Sequence, residues 1–280
     1  MSAVSTNIKE RIWKAFSLDE SQAAPADVVE EALLRYERLK PFGIEERDAL
    51  ASYDDAFLVR FTYNSAAIEG STLTLADTAL VLEGEFPADT ENKSLSDAFA
   101  AMGIAEGTAW AHERLEEGAP VTEELIKDIH QRTALDCQPR TRGAYRASAV
   151  YIRGSASVPA NPLSIRENMA DLLYAYETAT LPPMAAAAAF HAMFENIHHF
   201  SDGNGRTGRI ILNYMLERAG YPPIAIKAAS AARYANALEA WQTKDDPADL
   251  LQMVNECVAE ELEARIEAVT QTREAVRALR

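Results

Sequence analysis

Ile197-His198-His199-Phe200-Ser201-Asp202-Gly203-Asn204-Gly205-Arg206-Thr207-Gly208-Arg209 lies between two apolar stripes of helical period. Phe190, Phe194 and Ile197 mark one face ahead of it, and Ile210, Tyr214 and Met215 mark one behind it. The stretch therefore reads as helix, glycine loop, helix. Gly203 and Gly205 allow positive φ and close backbone approach. Their N–H groups, with the free N–H groups of a helix start, make a cradle for an anion such as phosphate. Arg206 and Arg209 stand three apart on the second helix, so they share a face and can hold further phosphate oxygens. Asp202 stands at the loop entrance, where a carboxylate can hold Mg²⁺ bridging phosphates. His198 closes the first helix and is the natural general base, since an ordinary imidazole pKa near ~6.5 leaves it mostly neutral at pH 7. One stretch thus holds the parts of a phosphoryl-type transfer.

Two other chemistries compete for the same residues. Asp-Gly-Asn-Gly also occurs in calcium loops, but in that register Phe200 and Ile211 would take the first and last ligand positions, and neither can ligate. His191-x3-Glu195-x2-His198 places three metal-ligand types within two helical turns, although a metal centre there leaves the glycine loop and the arginines without a task. His199 reads as a loop or packing residue rather than a second base, and His112, His130 and His191 as ordinary helix histidines.

Outward from the loop the pattern stays helical. Periodic segments run over 28–39, 54–69, 96–117 and 249–280, the last with Glu260, Glu261 and Arg265 on its exposed side. Thr74-x-x-Asp77 opens a helix that stops at Gly84; Thr122 and Ser164-x-x-Glu167 cap two more; Pro182-Pro183 opens an Ala-rich one reaching His198. The stretch 143–159 departs from this, because Val150 and Ile152 alternate with other residues and Gly154-Ser155 offers a turn. The predicted fold is all-α with one short β-hairpin flap. Residues 1–105 form an N-terminal helical region, 106–228 the core with flap and loop, and 229–280 the C-terminal helices. Residues 87–94 read as a long exposed loop.

Composition narrows the partners. The 280 residues carry 27 Lys+Arg against 43 Asp+Glu, a formal charge of −16, with 48% hydrophobic types. There is no general cation excess to displace counterions from a nucleic acid. Cys137 and Cys257 are the only cysteines, too few for a disulfide framework. No segment approaches the ~20 apolar residues of a membrane span, and the start lacks a signal-peptide pattern. The sequence predicts a cytoplasmic protein with neither nucleic-acid nor membrane partners; a homo-oligomer is compatible with it.

The residues from His198 to Arg209 resemble the signature of Fic-domain proteins, H-P-F-x-[DE]-G-N-G-R-x-x-R, with His199 at the usual proline. The likeness extends to Phe194-Glu195-x-Ile197, Asn213, Gly220-Tyr221-Pro222-Pro223 and the stretch from Gly143-Ala144-Tyr145-Arg146 to Gly154-Ser155. It implies that a protein hydroxyl attacks the α-phosphate of ATP and pyrophosphate leaves. By that resemblance His198 takes the hydroxyl proton and Asp202 holds Mg²⁺. The Gly203–Gly205 backbone and the Asn204 side chain receive the α- and β-phosphates, Arg206 supports the chain, and Arg209 contacts the γ-phosphate. Gly205 stands where the family's kinase variant has lysine.

A second motif lies far upstream. Ser65-Ala66-Ala67-Ile68-Glu69-Gly70 reads locally as a helix end closed by glycine. A carboxylate there faces the negative end of the helix dipole, unfavourable by ~0.3–1 kcal/mol unless a cation compensates. By itself Glu69 reads as an exposed helix-end acid. Ser65-x-x-x-Glu69-Gly70 also resembles the inhibitory motif [ST]-x-x-x-E-[GN] of class II Fic proteins, which implies that Glu69 occupies Arg209 and keeps the γ-phosphate from its productive pose. The same resemblance makes Tyr151 and Ile152 target-docking residues of the flap and puts Tyr234 near the adenine. The combined expectation is an autoinhibited protein adenylyltransferase that uses ATP and Mg²⁺ to label Ser, Thr or Tyr hydroxyls on a target protein and on itself. Another nucleotide donor, a mainly AMP-removing enzyme or a non-catalytic nucleotide sensor are the alternatives.

Overall fold

The structure is a computed structural model that describes residues 7–86, 94–152 and 155–279. In chain order its α-helices are α1 (Ile8–Ala15), α2 (Glu20–Ala23), α3 (Asp27–Arg38), α4 (Ile44–Ile68), α5 (Leu75–Leu82), α6 (Leu95–Glu116), α7 (Glu123–Thr133), α8 (Ile165–Glu177), α9 (Pro183–Ile197), α10 (Asn204–Arg218), α11 (Ala231–Lys244) and α12 (Ala248–Ala278). Local chemistry sets several boundaries. The Thr74 hydroxyl accepts from the Asp77 N–H while the Asp77 carboxylate accepts from the Thr74 N–H, a capping box that starts α5. Thr122 caps α7 through the Leu125 N–H, and Pro183 begins α9 at the one turn where a missing N–H costs nothing.

The helices pack around α9. Every residue of it from Met184 to Ile197 is buried, and its run Ala185–Ala189 presents little bulk, so neighbours approach closely on all sides. α10 lies against α9, α6 and α7; α12 lies against α3, α4 and α9. One hydrophobic cluster extends from Ile12 through Phe61, Phe194 and Tyr214 to Leu262. Close contact is extreme where α6 meets α7: a Cβ added at Gly103 would stand 2.2 Å from the Thr133 carbonyl oxygen.

Three expectations need correction. No β-strand occurs among the described residues, so the flap hairpin is not formed. Residues 147–152 and 155–161 are extended or irregular, but their backbone bonds go elsewhere. The Arg146 N–H donates to the His199 carbonyl and the Ala160 N–H to the Ile197 carbonyl, so both arms are tied to the α9–α10 turn rather than to each other. Gly154, half of the expected turn, and residues 87–93 of the expected loop lie outside the described residues. Second, the Ser164 side chain makes no cap bond to α8; Asn161 instead caps a short 3₁₀ turn that leads into it. Third, Glu261 and Arg265 are buried rather than on the solvent side of α12: Tyr53 donates to Glu261 at 2.6 Å, and Arg265 pairs with Asp54 at 2.5 Å. No helix among the described residues is long and apolar enough to cross a membrane.

Candidate active site

The turn between α9 and α10 is built on two left-handed residues, His198 at φ 50° and Gly203 at φ 75°. For a residue with a Cβ this conformation is unfavourable by about 1–2 kcal/mol. Arg146 holds it in place: its buried guanidinium donates to the carbonyls of His198 (2.7 Å), Ser148 (2.7 Å) and Ala160 (2.5 Å). Burial, and then the Arg146 charge, keep the His198 imidazole below its ordinary pKa, so it is neutral and able to accept a proton.

The loop is stiffened from inside. The Asn204 amide closes a ring of two bonds with Phe200, accepting from its N–H and donating to its carbonyl, each at 2.9 Å. Beneath Phe200 lies His130, stacked at 3.6 Å between ring centroids. The Gly143 N–H can only donate, so His130 Nδ1 accepts it (2.8 Å); the Asp202 carbonyl can only accept, so Nε2–H donates to it (2.9 Å). One neutral tautomer satisfies both, and burial pushes the His130 pKa down to about 4. His130 was read from the sequence as an ordinary helix histidine, and no local signal distinguishes it. His199 is fully buried among Phe194, Tyr145 and Phe200, a packing residue as expected.

Of the two signature arginines, Arg206 is 4% exposed and donates to Asp136 at 2.7 Å, with Asp202 at 3.8 Å. Asp136 has no motif around it that would have revealed this pairing. Asp202 itself is 74% exposed at the loop entrance. Arg209 is buried and reaches back across 140 positions: Nη2 donates to Glu69 Oε1 (2.7 Å) and to the Ser65 carbonyl (2.9 Å), and Nε to the Ser65 hydroxyl (2.9 Å). Glu69, at the C-terminal end of α4, therefore finds the cation that its place on the dipole requires. Its carboxylate presses onto the first turn of α10, where a Cβ on Gly205 would stand only 2.2 Å from Oε1. A carboxylate thus sits at the helix N-terminus that the sequence assigns to phosphate.

Beside this contact lies a cavity of about 310 Å³, lined by Glu69, His198, Gly205 and Arg209 on one side and by Ile152, Tyr234 and Glu239 on the other. Tyr234 is buried, and its hydroxyl meets His191 Nε2 at 2.6 Å. His191 Nδ1 faces the Gly208 carbonyl at 3.1 Å and must carry the proton, so Tyr234 is the donor. Burial drives His191 down to about 3 and the neighbouring Glu195 carboxyl up to about 8. These two residues serve the α9–α10 packing, and no group of three His, Cys, Asp or Glu side chains able to hold a metal exists among the described residues, which removes the metal-centre reading. Ile152 borders the cavity, whereas Tyr151 is 92% exposed.

Residues 120–216, which include the whole loop, all of α9 and α10 as far as Leu216, match the model of the Fic/DOC family. The chain carries a Fic domain. It is related to protein adenylyltransferases: the protein adenylyltransferase Fic of Aedes aegypti is 29% identical over 249 residues, covering 85% of this chain and 48% of that protein. The namesake from Drosophila mojavensis is 32% identical over 220 residues, covering 75% and 43%. The chain thus spans less than half the length of these two relatives. Among solved structures, a Fic domain containing signaling protein from Bacteroides thetaiotaomicron superposes with a TM-score of 0.76 at 26% identity, over 88% of this chain and 97% of that one.

Proposed function

We propose that this Fic-domain protein is a protein adenylyltransferase held in check by Glu69. The observation that carries the reading is the three-bond grip of Ser65 and Glu69 on Arg209, laid over Gly205 at the mouth of the cavity that His198 also lines. ATP binds with its phosphates along the N-terminus of α10, where N–H groups and the Arg206 charge favour anions. His198, neutral and pinned by Arg146, takes the proton of a Ser, Thr or Tyr hydroxyl as its oxygen bonds to the α-phosphorus. The bond to the β-phosphate oxygen breaks, and pyrophosphate carries the electron pair away.

The single exposed carboxylate of Asp202 at the loop entrance suits Mg²⁺, which is typically bound by one or two carboxylates together with substrate phosphates. Bound there, the ion would supply positive charge against the phosphate chain. Glu69 withholds Arg209 from the γ-phosphate, so nucleotide binds with the α-phosphate out of line. Tyr151 and Ile152 meet the target protein, and Tyr234 walls the nucleotide side of the cavity.

The experiment compares wild type, Glu69→Gly and His198→Ala with Mg²⁺ and ATP labelled on the α- or the γ-phosphate. α-Label on the protein itself, raised in Glu69→Gly and absent in His198→Ala, is expected. Transfer of γ-label refutes the nucleotidyl reading, and equal labelling of wild type and Glu69→Gly refutes the brake.

A further inference from the structure

A larger cavity, about 510 Å³, opens away from the nucleotide cavity, between α4, α6, α10 and the Gly220–Pro223 turn, with α12 closing one wall. That volume falls within the roughly 300–1,000 Å³ of small-molecule sites. Phe57, Leu58, Leu115, Tyr221, Pro222 and Leu262 supply an apolar and aromatic lining. Its charges do not balance. Arg265 is spent on Asp54 at 2.5 Å, leaving the carboxylates of Asp55 and Glu217. Asp55 makes no ion pair among the described residues. Glu217 is three-quarters buried, and its nearest cation-capable neighbour is the half-exposed His112 at 3.8 Å, too long for a hydrogen bond. Burial raises the Glu217 carboxyl above the usual carboxylate range. Glu217 keeps a quarter of its side chain in water and has no hydrogen-bonding cation among the described residues, and exposed Asp55 stands in the same lining, so a cation brought in with a ligand gains charge-assisted bonds here.

We propose that this cavity is a binding site for a small organic cation, a primary ammonium on an aromatic or aliphatic body, with the ammonium at Glu217 and Asp55 and the body against Phe57, Leu58 and Tyr221. The walls that hold the charge are α10 and α4, the two helices that also carry Arg209 and, at its end, Glu69. An occupied site therefore bears on that contact; this second part rests on the proposed brake, while the binding itself does not.

Isothermal titration of the full chain with 2-phenylethylamine, against neutral 2-phenylethanol and anionic 3-phenylpropionate, tests the binding. Saturable binding of the amine, tighter than either comparator by about tenfold or more, is expected. It should be lost in Glu217→Gln and weakened in Asp55→Asn, with the melting temperatures of both variants close to wild type in the absence of ligand. No preference for the amine, or an unchanged amine affinity in Glu217→Gln, overturns the site. For the second part, saturating amine is expected to change α-label incorporation in wild type but not in Glu69→Gly. Amine that binds yet leaves wild-type labelling unchanged, while Glu69→Gly still raises it, overturns the coupling alone. Failure of Glu69→Gly to raise labelling is instead a failure of the brake.

Discussion

Replacing Glu69 with alanine removes one charge-assisted bond at 2.7 Å and leaves Arg209, 3% exposed, with its two bonds to Ser65. A hydrogen bond to a charged group is worth about 1.5–3 kcal/mol. The Glu69 side chain is 44% exposed, so water and salt screen its half of the pair, and about 1–1.5 kcal/mol is the appropriate range. In a chain of this size each kcal/mol moves the melting temperature by about 2–4 °C, so Glu69→Ala should melt roughly 2–6 °C lower. The proposed brake draws on the same free energy, because the contact must open before Arg209 can serve a γ-phosphate. At ~1.4 kcal/mol per tenfold, α-label incorporation should rise about five- to twelvefold. Thermal unfolding and nucleotide labelling of one preparation read one contact twice. A rise in labelling without loss of thermal stability, or the reverse, would refute the argument that this ion pair is the restraint.

His130→Phe keeps the stack on Phe200 but leaves the Gly143 N–H and the Asp202 carbonyl without their partner. A loss of about 2–3 kcal/mol is expected in denaturant unfolding, with faster amide exchange across residues 199–205 than in wild type. Glu195, with its carboxyl raised to about 8 in the fold from an ordinary value of 4.5, binds its proton more tightly folded than unfolded. Its contribution is fully present below pH 4.5 and lost as pH rises through 8. Glu195→Gln should therefore gain on wild type in melting temperature between pH 5 and pH 9, and a constant difference would contradict the buried neutral carboxyl. Gly103→Ala exchanges a helix gain of about 1 kcal/mol for a Cβ 2.2 Å from the immovable Thr133 backbone oxygen. Overpacking of about 1–3 kcal/mol should prevail, so a melting temperature at or above wild type would refute the α6–α7 contact.

Within one helical turn, residues determine a great deal of this protein. Apolar spacing, the Thr74 and Thr122 caps and the Pro183 start are visible in the chain because their hydrogen bonds join residues three or four apart. The helix–loop–helix around Gly203 is legible for the same reason. Alternation at Val150 and Ile152 misleads, since two short extended runs can bond to a third segment instead of to each other; here that segment is the turn whose carbonyls belong to Ile197 and His199. The outward side assigned to Glu261 and Arg265 misleads too, because partners such as Tyr53 and Asp54 allow charges to be buried on a helix that looks amphipathic.

What remains is long-range pairing. His130 reaches Asp202 across 72 positions, Arg206 reaches Asp136 across 70, and Arg209 reaches Glu69 across 140. The pairing of Glu69 with Arg209 could be expected from the family motif but not from periodicity. Nothing in a sequence spacing selects which carboxylate meets which guanidinium at such distances. Chain order determined by itself where helices begin, where they bend, and which side chains face together at each bend. Only the packing of α4, α7 and the alanine-rich α9 against α10 decided which charges are neighbours, because an ion pair between distant segments is settled by the positions of whole helices, not by the residues on either side of it.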